Sequence, residues 1–123
     1  MAWKIRLSVA VALTIVVAVP AAAEENFKLL KAKQIRATIA GKDISDDVHW
    51  SEYYRKDGAL ISTDIGTKQT GTWKIQGDKL CKSKENTKTL TCYEVWMSGE
   101  NISLRLHEGD DHFIGVVEKH TTD

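Results

Sequence analysis

Hydrophobic and polar positions along this chain follow three successive patterns. Behind Lys4 and Arg6, the stretch from Leu7 to Val19 is uncharged and mainly apolar, and Pro20 with Ala21, Ala22 and Ala23 precedes Glu24 and Glu25. A short basic start, an apolar run below the roughly 20 residues of a membrane span, and small residues at a cut are the marks of a secretory signal peptide. The expected division is a signal peptide over 1–23, cleaved after Ala23, and one domain over 24–123.

From Phe27 to Ala40 the period is helical. Leu29, Ala32, Ile35 and Ile39 fall on one broad side, no Pro or Gly interrupts, and Gly41 supplies a stop. Arg36 lies inside the stripe, and Ile35, Ala37 and Ile39 also alternate as a strand would. The expected element is a helix of about three turns, packed on a sheet as a lid or plug.

After Asp46 and Asp47 the period falls to two, with turn residues at short, even spacing. The predicted strands are Val48 to Tyr54, Ala59 to Ile65, Gly71 to Ile75, Leu80 to Lys82, Leu90 to Trp96, Ile102 to His107 and Phe113 to Glu118. Five of the six gaps carry a glycine suited to a tight turn, and the loop Ser83 to Thr89 carries none. The expected fold is mainly β (α+β): an antiparallel meander of about seven short strands curled into a small open barrel, with one N-terminal amphipathic helix packed on it.

Strand parity assigns faces. Ile102, Leu104 and Leu106 oppose Ser103, Arg105 and His107; Trp73 shares a side with Ile75; Leu90, Cys92 and Trp96 share another. On the first strand Trp50, Glu52 and Tyr54 point one way and His49, Ser51 and Tyr53 the other. Aromatics on both faces require either cover by the helix or an exposed patch that takes a partner.

Composition then narrows the classes. Cys81 and Cys92 are the only cysteines, and pairing the fourth and fifth strands sets them opposite each other, so a single disulfide is expected. The precursor balances 17 basic against 17 acidic residues, and loss of Lys4 and Arg6 leaves an excess of two negative charges. A nucleic-acid binder would carry a strong basic excess. Lys79, Lys82, Lys84 and Lys88 crowd the disulfide hairpin, which reads as a solvated loop or a basic tip for an anionic partner.

Catalytic and metal chemistry finds little support. His107, Asp110 and His112 are suitable ligand types within six residues, but they match no established metal spacing and read as a solvated acidic turn. There is no Gly-x-Ser-x-Gly elbow, and Glu52 with Glu94 is the only carboxylate pair on strand interiors. No enzyme, cofactor or metal is expected. The aromatics Trp50, Tyr54 and Trp73 are the candidate binding surface, because Trp and Tyr join large apolar faces to a polar handle.

The order Trp50-x-x-Tyr53-Tyr54-x-x-Asp57-Gly58, Gly71-x-Trp73-x-Ile75, Gly77-Asp78-x-Leu80-Cys81 and Cys92-Tyr93-x-Val95 resembles a group of small exported bacterial proteins of unknown function. The resemblance runs from about Leu30 to Val117 and implies a disulfide-bearing β-meander of the bacterial envelope. It brings no catalytic residue with it.

The expected function is a non-catalytic binding module, periplasmic or secreted, that takes a small ligand or an envelope polymer; the alternative is a protein-interaction module such as an inhibitor of a secreted hydrolase. A concave cavity lined by Trp and Tyr would favour the ligand, and a flat patch or protruding loop the protein. No stable membrane span is expected after cleavage.

Overall fold

The computed structural model describes residues 8–16, 26–84, 88–110 and 113–121. The expected cleavage point lies outside them. Residues 8–16 carry no regular structure and leave Val9, Val11, Leu13, Ile15 and Val16 exposed. Among the described residues no helix is long and apolar enough to cross a membrane.

The elements are β1 (Lys28–Leu29), α1 (Ala32–Ile39), β2 (Lys42–Ser45), β3 (Trp50–Tyr54), β4 (Ala59–Asp64), β5 (Thr67–Gln76), β6 (Lys79–Ser83), β7 (Thr91–Ser98), β8 (Asn101–Arg105) and β9 (Phe113–Lys119). Strands β2 to β9 pair with their sequence neighbours, all antiparallel, and β9 returns to pair with β2. The result is a closed eight-stranded up-and-down barrel with one short helix, a mainly β fold as expected.

Closure depends on a strand that the hydrophobic pattern does not announce. β2 carries one large apolar residue, Ile44, between charged and polar neighbours, yet it pairs with β3 on one side and β9 on the other. A side-chain stack fastens this seam outside the barrel. Tyr53 of β3 lies 3.5 Å from the His120 ring at an interplanar angle of 7°, and His120 Nδ1 is 2.9 Å from Asp43 Oδ1 of β2.

The helix is shorter than its stripe. Residues Lys28 and Leu29 leave it to pair with Met97 and Trp96 on β7, so the apolar face that reaches the core reduces to Ile35 and Ile39, both fully buried. Gln34 accepts the Lys31 N–H (2.8 Å), and Asp78 in the β5–β6 turn accepts the Ala32 N–H (3.0 Å), which ties the helix start to a hairpin. The chain leaves through Gly41 at φ 76°, where only glycine is unstrained. The helix packs on β2, β5 and β6 and plugs one end of the barrel.

Inside lie Ile44, Tyr54, Leu60, Trp73, Leu80, Tyr93, Val95, Ile102 and Leu104, joined by Ile35 and Ile39. On β7 Tyr93 and Val95 point inward, and Cys92 and Trp96 share the outer side. The segment is apolar on both faces because its outside is covered as well. Arg105 sits over the Trp96 ring at 4.7 Å and over Phe27 at 5.3 Å, and its Nε donates to Ser103 Oγ at 2.9 Å. Leu106, expected as a core position, is 44% exposed because β8 ends at Arg105.

Cys81 and Cys92 are partners in the β6–β7 ladder and form the expected disulfide. A bridge closing a loop of this length contributes about 2 to 4 kcal/mol. Cys81→Ser is expected to lower stability by that amount, and reductant should lower the melting temperature of the wild type but not of the variant. Equal sensitivity to reductant in both would refute the bridge as a staple.

Gly71, the first residue of the predicted third strand, stands inside β5 against β6. A Cβ there would overlap the Ser83 carbonyl oxygen, so no side chain fits unless the backbone moves. Gly71→Ala is expected to destabilise by about 1 to 3 kcal/mol, measured by thermal melting; an unchanged melting temperature would show that the strands separate freely at this point.

Candidate functional site

The end of the barrel opposite the helix is open. A cavity of about 740 Å³ opens there, walled by the outer halves of β3 to β7 and by Phe113. Its rings are Trp50, Tyr93 and Phe113: Phe113 meets Trp50 and Tyr93 edge to face, each with centroids 6.0 Å apart. Ser62, Thr67 and Thr91 add hydroxyls.

Glu52 and Lys82, both among the residues that line this cavity, form an ion pair inside the barrel. Lys82 Nζ donates to Oε1 and Oε2 of Glu52 at 3.0 Å each, with both side chains close to nine-tenths buried. Tyr54 Oη donates to Glu52 Oε2 at 2.9 Å. The ammonium also stands 5.1 Å from the Tyr93 ring centroid and 4.9 Å from that of Phe113, a position that lets two aromatic faces share its charge. Burial first, and the Glu52 charge second, push the Tyr54 hydroxyl well above its ordinary pKa. Burial, Glu52 and Asp110, in that order, raise Tyr93. Both therefore remain neutral phenols at physiological pH.

Two residues set the position of Trp50. Asp46 accepts N–H bonds from Trp50 (3.0 Å), His49 (2.7 Å) and Val48 (3.0 Å), fixing the β2–β3 turn at the cavity mouth. These bonds, that from Trp50 first, hold the Asp46 carboxyl well below the usual carboxylate range. Gly115 of β9 leaves the space: a Cβ there would come within 3.1 Å of Trp50 Cη2 and 3.0 Å of Ile44 Cγ2. Because the folded pKa of Asp46 is depressed, its contribution is complete above the ordinary value of 3.8 and is lost as pH falls below it. Asp46→Asn is expected to lower the melting temperature at pH 7, with the gap to wild type closing in strong acid. A gap that stays constant with pH would refute the carboxylate's role.

The three aromatics expected to form one accessible surface do not come together. Trp50 is half-buried at the mouth. Tyr54 is 0% and Trp73 4% exposed, so both belong to the core, which corrects the expectation that they stay accessible. They meet edge to face at 5.7 Å near the helix end, and Trp73 Nε1 donates to the Arg55 carbonyl at 2.7 Å. Parity gave the right face for all three, but four residues of strand place Trp50 and Tyr54 about 13 Å apart along the barrel.

Other residues take the places of Tyr54 and Trp73 at the site. Lys82, grouped in the sequence with a basic loop tip, alternates with Leu80 and so points inward. Glu52 is inward and Glu94 outward, which dissolves the carboxylate pair. A glycine inside the otherwise apolar Phe113 to Glu118 strand was the available sign of a close approach near Trp50. Among the described residues no group of three or more His, Cys, Asp or Glu is placed to hold a metal ion; His112 lies outside them.

No protein-family model, curated protein or solved structure matches this chain.

Proposed function

We propose that this protein is an exported, non-catalytic binding module of the bacterial envelope, periplasmic or secreted, that holds a small amphipathic ligand in the open end of its barrel. The observation that carries this reading is the cavity of about 740 Å³ with Trp50, Tyr93 and Phe113 on its wall and the Glu52–Lys82 pair inside. Its volume falls in the range of small-molecule sites, and a few placed polar groups among aromatic walls are what such sites use for orientation. Closed eight-stranded barrels have room for side chains or for one small ligand; that comparison rests on architecture alone. The concave shape weighs for a ligand over a protein partner. Export is supported by the leader-like start and by a disulfide that suits an oxidising compartment.

The test is native mass spectrometry of the purified protein after exposure to an envelope extract. A bound small molecule is expected, and Trp50→Ala should lose most of it. Recovery of the protein without any adduct, or equal retention by Trp50→Ala, would overturn the reading.

A further inference from the structure

We infer that the barrel cavity selects a planar aromatic acid, whose anionic oxygen docks on Lys82 while its ring lies against Trp50 and Phe113. This deepens the cavity-ligand reading and rests on it.

The donors and acceptors of the ion pair lead to this choice. Glu52 is well supplied: Oε1 takes one bond from Lys82, and Oε2 takes one from Lys82 and one from Tyr54. An ammonium carries three N–H donors, and two of those on Lys82 go to Glu52. Among the described residues no acceptor takes the third, which is left for whatever enters a cavity that Lys82 itself lines. Groups that accept bonds and carry negative charge make the strongest use of such a donor.

A cationic ligand meets the reverse. The Glu52 carboxylate is already bonded to Lys82 and Tyr54, the other lining carboxylate, Asp64, is exposed at the end of β4, and the Tyr93 and Phe113 faces that would attract a cation already hold the Lys82 charge. To bind there it would have to displace Lys82 and leave an ammonium unpaired in a largely enclosed site. For an anion that takes the third donor the geometry is favourable, because it touches Lys82 directly and meets Glu52 only across the ammonium that the two share. Attraction then acts over the shorter distance and repulsion over the longer. Trp50 and Phe113 are only half-buried, so ring surface remains for an apolar plane to cover.

The experiment uses the wild-type protein with N-phenyl-1-naphthylamine, a neutral dye that fluoresces in apolar cavities, and three competitors on one ring system: 2-naphthoate, naphthalene-2-carboxamide and 2-naphthylmethylammonium. Binding of the dye, with 2-naphthoate displacing it at about tenfold lower concentration than the carboxamide and the ammonium competing least, is the expected result. In Glu52→Gln with Lys82→Met, which removes both charges together, the preference for naphthoate should vanish. Equal displacement by all three competitors, the strongest displacement by the ammonium, or a naphthoate preference that survives in the double variant would overturn the inference while leaving the cavity as a binding site. Failure of the dye and of every competitor to bind would remove the cavity reading and this inference with it. The wild-type comparison decides the charge preference even if the double variant does not fold.

Discussion

Trp73→Ala is expected to destabilise the protein by about 3 to 5 kcal/mol, whereas Trp50→Ala should cost far less stability and instead lose the ligand. Trp73 is 4% exposed, packs edge-on against Tyr54, lies under the Arg36 guanidinium at 5.8 Å and spends its indole N–H on the Arg55 carbonyl. Truncating it leaves a void in the core beneath the helix, which neighbours held in a closed ladder do not readily refill, and takes a donor from the Arg55 carbonyl, which keeps the Gly58 N–H. Trp50 borders a cavity that is already open, so its removal enlarges the opening without creating an enclosed void. Chemical denaturation of both variants, read beside ligand retention, separates the roles. Similar stability losses in the two would mean that Trp50 is a core residue, and the binding reading would lose its main aromatic wall.

Breaking the Glu52–Lys82 pair from one side should be as damaging. Lys82→Met leaves the Glu52 carboxylate nearly enclosed with Tyr54 as its remaining donor, and Glu52→Gln leaves the ammonium between two aromatic rings without its counter-ion. Loss of one partner of a buried pair typically costs about 3 to 5 kcal/mol; access to water through the open mouth places these variants at the lower end. The double variant Glu52→Gln with Lys82→Met removes both charges and is expected to be more stable than Lys82→Met alone, because no uncompensated charge remains. A double-mutant cycle with no coupling between the two sites would contradict the close contact seen here.

Such an ion pair inside a small barrel is an expensive way to fill volume, since apolar residues of similar size are often equal or better for stability. Its placement in the wall of a cavity gives it another use, as a fixed pair of charges that orients what enters. The half of the barrel nearest the helix shows the contrasting solution, with Ile35, Ile39, Tyr54, Leu80 and Trp73 packed in and almost no exposure. Structural aromatics therefore gather at the plugged end and accessible ones at the open end.

The sequence by itself determined the local elements. Alternation from Val48 onward placed seven of the eight barrel strands, glycines marked all but one of the turns between them, and the spacing of Cys81 and Cys92 identified the hairpin that they staple. Parity put Trp50, Glu52 and Tyr54 on one face, because side-chain direction in a strand is a property of the backbone and needs no partner. Tertiary structure decided the rest. β2 becomes a strand only because β3 and β9 both have free edges beside it, so one apolar residue suffices. Tyr93 rather than Trp96 turns inward because both faces of β7 are apolar, and Arg105, which stands over both the Trp96 and the Phe27 rings, determines which is outside. Depth along the barrel axis, which divides Trp50 in the cavity from Tyr54 in the core and draws Lys82 out of a basic cluster to meet Glu52, has no local signature. It arises when closure sets the strands' stagger and the helix fills one end, and both depend on contacts between residues far apart in the chain.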